Sequence, residues 1–232
     1  MATTTKANEK KKPKKESLQH RLARILVALG IFAVVFALDE LGVDRGRAKW
    51  FLTHFHLDHA GLIDRVVPEG APLFMGGVEL GEARVTRTGV FLDALTRTYR
   101  QQGVALSDAT TAARLGVEQP LFDPQRLRTA FVRGGDTVTV GGLTLTVMHT
   151  PGHTPGSSCY IGDGVIFSGD TLFAGGAGRT DFPGGDEAAL RRSLKRLAAL
   201  EGDYRVFPGH EESTTLQRER LENPYVNGFF EE

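Results

Sequence analysis

Four side chains able to hold a metal ion stand within six residues in Thr53-His54-Phe55-His56-Leu57-Asp58-His59. In an extended chain, residues two apart project to the same side, so His54 and His56 can grip one ion. A turn at Asp58 and His59 would aim the next pair at a neighbouring position. A group of histidines buried without partners would carry a desolvation cost, so packing alone does not account for the cluster. Imidazole and carboxylate together suit zinc first, and also tolerate iron or manganese.

Three more donors each stand where an apolar, strand-like run passes into a glycine-containing loop. They are His153 in HTPGHTPGS, Asp170 in FSGDTLF and His210 in VFPGH. Loops at strand ends are where rigid scaffolds place functional groups. Five of the seven histidines fall in this set. His20 lies near the amino terminus, and His149 reads as a structural hydrogen-bonding residue at a strand end.

The elements that must position these donors follow from local pattern. Residues 48–52 read as a short buried strand running into the first cluster. Residues 136–140 and 143–148 alternate around Gly141-Gly142, which predicts a β-hairpin. Residues 157–161 and 165–168 are further strands, and 204–207 is the last long one. Asp186 can cap a helix with Leu190, Leu194 and Leu197 on one face, and a second helix is expected over 214–221. Residues 78–131 are expected to form a helical insertion covering a pocket, and the apolar run at 25–38 is expected to be a buried helix within 17–41. Strands, hairpins and helices in this order predict an α/β (α+β) fold with a mixed sheet.

Composition sets outer bounds. A chain of 232 residues, 41% hydrophobic and 24% charged, suits one domain with a sizeable core. Its formal charge is zero, but residues 1–24 hold eight Lys or Arg against Glu9 and Glu16. Residues 1–16 are expected to be a disordered basic tail, and 17–232 the folded domain, whose acidic balance argues against nucleic-acid binding. Cys159 is the only cysteine, so no intrachain disulfide can form, which fits a reducing, cytoplasmic setting. It stands in an apolar run and reads as a small buried hydrophobe. The run at 25–38 is too short to span a bilayer comfortably, and no membrane partner is expected.

The succession HxHxDH, TPGHTPGS, GDTLF and PGHEESTTL resembles the metallo-β-lactamase superfamily, within it the glyoxalase II-like hydrolases. The resemblance covers residues 48–62 and 135–225. It implies an αββα sandwich with two divalent ions at one edge. His54, His56 and His153 would hold the first ion; Asp58, His59 and His210 the second; Asp170 would bridge them. It also implies a binuclear hydrolase in which metal-bound hydroxide attacks an acyl carbon, of a thioester such as a hydroxyacylglutathione or of a related ester. Asp58 would orient the nucleophile or accept its proton. Arg179, in the GRTDFPGGD segment, stands where that group has a basic residue near the substrate, and a salt bridge to Asp181 or Asp186 is the competing use for it.

Members of that family have several strands before HxHxDH, and none is evident here. Part of one sheet is therefore expected to be missing, with self-association covering the exposed face. Three other readings stay open: a persulfide dioxygenase-like oxidoreductase with one iron, a ribonuclease Z-like nuclease, and an inactive truncated relative. The seven-donor set disfavours the first and the acidic body the second.

Overall fold

Alternation along short strands sorts the side chains into three apolar layers. The computed structural model describes residues 26–27, 48–60, 63–77, 128–140 and 142–228. One sheet has the order β1 (Leu26–Val27), β2 (Trp50–Phe51), β3 (Pro72–Gly76), β4 (Arg128–Val132), and every neighbouring pair in it is parallel. Trp50, Leu73 and Met75 face one side, with Leu52 just past β2, and pack on Ala60 and Ile63 from the helical turns α1 (Leu57–Ala60) and α2 (Ile63–Val66) and on Val67 just after them. Phe51 and Phe74 face the other side, their rings stacked at 5.1 Å.

That inner face meets a six-stranded mixed sheet. Its strands are β5 (Thr137–Val140), β6 (Leu143–His149), β7 (Ser158–Gly162), β8 (Val165–Gly169), β11 (Arg205–Pro208) and β12 (Thr214–Thr215), in the order β12-β11-β8-β7-β6-β5. Val147, Tyr160 and Phe167 pack inward against Phe51, while Cys159, Ile161 and Ile166 face outward. The outward set is covered by α3 (Glu187–Ala198), through Leu190, Leu194 and Leu197, and by Leu216 of α4 (Leu216–Glu222). Helix, sheet, sheet and helix are thus stacked, while β5 and β6 keep alternate residues exposed and β4 keeps Arg128 and Phe131 exposed. Tyr160 crosses between the sheets: its hydroxyl lies 3.0 Å from Leu52 O and 3.3 Å from Phe74 O. β9 (Leu172–Phe173) and β10 (Gly176–Ala177) form a small antiparallel hairpin after β8.

The hairpin around Gly142 and the Asp186 cap form as expected, and the last helix forms over 216–222 rather than 214–221, because Thr214–Thr215 pair with β11. Gly142 takes a φ of +83°, and Asp186 accepts from Ala189 N at 2.9 Å. Three expectations are corrected. Leu26–Val27 is a strand paired in parallel with Trp50–Phe51, where a helix over 17–41 was expected. A run apolar on every face fits a doubly buried parallel strand as well as a buried helix, so its pattern did not discriminate. That strand also precedes the first donor cluster, where no strand was evident, and β3 and β4 bring the sheet to four strands among the described residues. The helical insertion over 78–131 is corrected at its end, because residues 128–131 belong to β4, paired with β3. Residues 78–127, the basic tail and the rest of 17–41 lie outside the described residues. No helix among the described residues is long and apolar enough to cross a membrane.

Candidate metal centre

All seven donors lie at one edge of the sandwich. β2 runs out into His54 and His56, and the first helical turn after it carries Asp58 and His59. β6 leads to His153, β8 to Asp170 and β11 to His210. Because β2, β3 and β4 are parallel, and β6, β8 and β11 share one direction, these carboxyl-terminal strand ends gather together.

Three groups have donor atoms within 4.8 Å of one another: His54 with His56 and His153; His54 with His59 and Asp170; and Asp58 with His59 and His210. Asp170 stands between the outer two. Its Oδ2 is 3.5 Å from His153 Nε2, 3.9 Å from His54 Nε2 and 3.4 Å from His210 Nε2, and its Oδ1 is 3.3 Å from His59 Nε2. His210 Nε2–H donates to Asp58 Oδ2 at 2.9 Å. The three groups overlap, His54 and His59 each belonging to two of them, and Asp170 lies within 3.9 Å of four of the histidines.

The donor set fits divalent ions on two counts. The Nε2 atoms of His54 and His153 are buried and have no hydrogen-bond partner among the described residues, although such atoms are normally paired. The opposite ring nitrogens are held. His153 Nδ1–H donates to Arg179 O at 2.6 Å, which leaves the Nε2 lone pair facing the cluster, and His54 Nδ1 lies 3.2 Å from Thr53 Oγ1. Such outer partners fix the tautomer and the ring orientation of a metal-binding histidine.

Protonation differs across the cluster. Burial, with the charges of neighbouring imidazoles, lowers His54 well below the ordinary histidine value and His56 to about 3. Burial also lowers His153, against the opposing pull of Asp170. Burial pushes the Asp170 carboxyl upward, but hydrogen bonds from His210 and His59 and the His54 charge outweigh it and keep the group ionised. Asp58 is lowered on the same balance, with His210 as the main opposing partner. His210 is raised to about 10 by its hydrogen bonds to Asp170 and then Asp58.

Two glycines make room for this packing. A Cβ on Gly209 would overlap Asp170 Oδ1 and sit 2.7 Å from His59 Cε1, and one on Gly178 would overlap the Asp170 carbonyl. The PGH triplet carried the first requirement in plain view; nothing local marked the second.

Arg179 is placed beside the cluster. Its guanidinium forms paired hydrogen bonds of 2.6 Å to both Asp181 oxygens and lies 4.0 Å from the Phe182 ring, which in turn is 5.5 Å from the His56 ring. The salt bridge weighed for it is therefore present, and its carbonyl has a use that sequence reading missed, as acceptor for His153. His149 Nε2–H donates to Pro155 O at 3.0 Å, a structural bond across the loop that carries His153. Cys159 is fully buried, and burial pushes its thiol up to about 11.

Residues 49–210 match the family model described as Metallo-beta-lactamase superfamily. Hydroxyacylglutathione hydrolase GloC of Haemophilus influenzae is 33% identical over 179 residues, 76% of this chain and 74% of that protein. The probable metallo-hydrolase YqgX of Bacillus subtilis is 31% identical over 185 residues, 77% of this chain and 75% of that protein. Other matches are partial: the chain spans 45% of the length of an Aquifex aeolicus protein, with 45% identity over 95 residues, 40% of this chain. Among solved structures, the BLEG-1 B3 metallo-beta-lactamase gives a TM-score of 0.63 at 26% identity, covering 87% of this chain and 88% of that one. TTHA1623 in a di-iron-bound form gives 0.59 at 27% identity, covering 87% and 89%.

Proposed function

Because this chain belongs to the metallo-β-lactamase superfamily, we propose that it hydrolyses a small acyl substrate, with a thioester of the hydroxyacylglutathione kind as the first candidate. The observation that carries this reading is the convergence of all seven donors at one edge, with Asp170 within 3.9 Å of His54, His59, His153 and His210. The relative named hydroxyacylglutathione hydrolase, similar over three quarters of both chains, supports the thioester.

His54, His56 and His153 would hold one ion, Asp58, His59 and His210 the other, with Asp170 shared. When bound, a pair of divalent ions supplies a water that ionises near neutral pH and a positive field for developing negative charge. The donor chemistry makes zinc our first assignment, and the di-iron form of TTHA1623 keeps iron in the comparison.

The chain's own groups do the rest. Asp58 is 56% exposed, so its carboxylate stands at the mouth, where it can accept a proton from the attacking water. Phe55 and Phe182 flank His56 and restrict bulk water there. Arg179 stands within reach of the same opening, and we assign it a second use as a contact for an anionic substrate, made by exchange with Asp181. We place the protein in the cytoplasm, where such thioesters and a reduced Cys159 coexist.

Elemental analysis of the purified chain should find close to two metal ions per molecule. A thioester panel should then show turnover that chelation removes and metal restores. No turnover of any thioester with both ions in place would end the substrate assignment. One iron per chain would favour an oxidative reaction instead.

A further inference from the structure

The edge that carries the metal centre has a second concavity that the donors do not use. The carboxyl-terminal ends of β3, β4 and β6 open on the same edge as His54 and Asp170. Between them lies a cavity of about 440 Å³, lined by Gly76, Phe131, Arg133, His149, Gly156 and Ser158 among others. It adjoins the metal centre directly. Ser158 N–H donates to Thr53 O at 3.0 Å, and Thr53 Oγ1 touches His54 Nδ1. Gly156 belongs to the loop that carries His153.

Its lining pairs an apolar surface with a spare cation. Phe131 is 52% exposed, one of three large hydrophobic side chains so placed among the described residues. Two residues on, Arg133 is exposed, and no described residue accepts a hydrogen bond from its guanidinium. Asp136, the acid of the same turn, points Oδ2 at the Arg133 backbone N–H instead, at 2.8 Å. The His149 Nε2–H is spent on Pro155 O. A concave site with apolar walls and one placed charge suits a ligand with an apolar body and an opposite charge. A guanidinium takes a carboxylate in a two-pronged hydrogen bond.

We propose that this cavity binds a carboxylate-terminated, apolar-bodied arm of the substrate, Arg133 taking the carboxylate and Phe131 packing the arm. The identification of the ligand as substrate rests on the hydrolase reading; the binding site does not. The cavity would select acyl substrates that end in an acid over those that end in a neutral group.

Calorimetric titration of the metal-loaded full-length chain with 3-phenylpropanoate and with its amide tests the site without turnover. The acid is expected to bind roughly tenfold more tightly than the amide, as one charge-assisted pair contributes. Arg133→Ala should remove the gap, Arg133→Lys should keep part of it, and Phe131→Ala should weaken both probes. A carboxylate resting on the metal ions would not depend on Arg133. Equal affinities in the native chain, or a gap that survives Arg133→Ala, would therefore overturn the proposal. Thioesters with acid-ended and amide-ended acyl chains should show the same gap in KM, collapsing in Arg133→Ala. Absence of turnover with both metals bound would strike the hydrolase reading alone, since the calorimetric result stands apart from it.

Discussion

His56 and His210 are imidazoles of one cluster with opposite proton affinities. Burial among other imidazoles takes His56 to about 3, whereas the carboxylates of Asp170 and Asp58 take His210, nearly half exposed, to about 10. The half formed by His54, His56 and His153 is therefore a set of neutral imidazoles near neutral pH. In the half formed by Asp58, His59 and His210, Asp58 and His210 reach solvent while His59 is buried, and a protonated His210 occupies the carboxylates. The buried half is preorganised for an ion; the open half must surrender a proton to receive one.

The widest break would come from the residue both halves share. Asp170→Asn removes the carboxylate that neutralises either ion, and hydrolysis should fall roughly a thousandfold, as for loss of a main electrostatic contact. Elemental analysis should find less than one ion per chain; two ions retained would show that Asp170 does not join the halves.

Separating the halves is the next test. His210→Ala should keep the buried ion, leaving close to one per chain, while His153→Ala should lose it. Metal content measured against chelator concentration would show the difference, and identical curves for the two variants would erase the contrast.

The third test concerns pH in the metal-free chain. His54, His56 and His153 are lowered in the fold, so below pH 6.5 the unfolded chain binds protons that the native chain refuses. Stability should fall as pH drops from 6.5 toward about 3 for His56, by roughly 1.4 kcal/mol per pH unit for each such group. His210 has the opposite sign: its contribution is complete below 6.5 and is lost as pH rises through about 10. Urea midpoints across pH 5 to 10 should therefore peak near neutrality, and a flat profile would contradict the assigned protonation states.

The smallest effect sharpens the picture of how the buried half is held. Glu219 is 1% exposed and accepts from Gly175 N, Thr214 Oγ1 and Asn223 Nδ2, while Asn223 also donates to Gly176 O. Together they pin the β9–β10 hairpin that leads to Arg179 O, the acceptor for His153. Glu219→Gln should weaken metal retention roughly tenfold, as loss of an outer support does. Unchanged retention in a folded variant would remove Glu219 from that chain of support.

That seven candidate donors stand at or just after strand ends was legible in the amino-acid order, because those ends are marked locally by glycine and by alternation; their grouping was only what the family resemblance implied. The hairpin at Gly142, the Asp186 cap and the buried face of α3 were legible for the same reason: each is set by neighbours a few residues apart. Leu26–Val27, Pro72–Gly76 and Arg128–Val132 were not. Their pairing in a parallel sheet joins residues far apart in the chain, and strands this short carry too few residues to show a period. Only the folded chain could decide that Arg179 spends its carbonyl on His153 and its guanidinium on Asp181, and that Arg133 lines a cavity where no acid among the described residues meets its guanidinium. Those are properties of distance in space, which local chemistry does not encode.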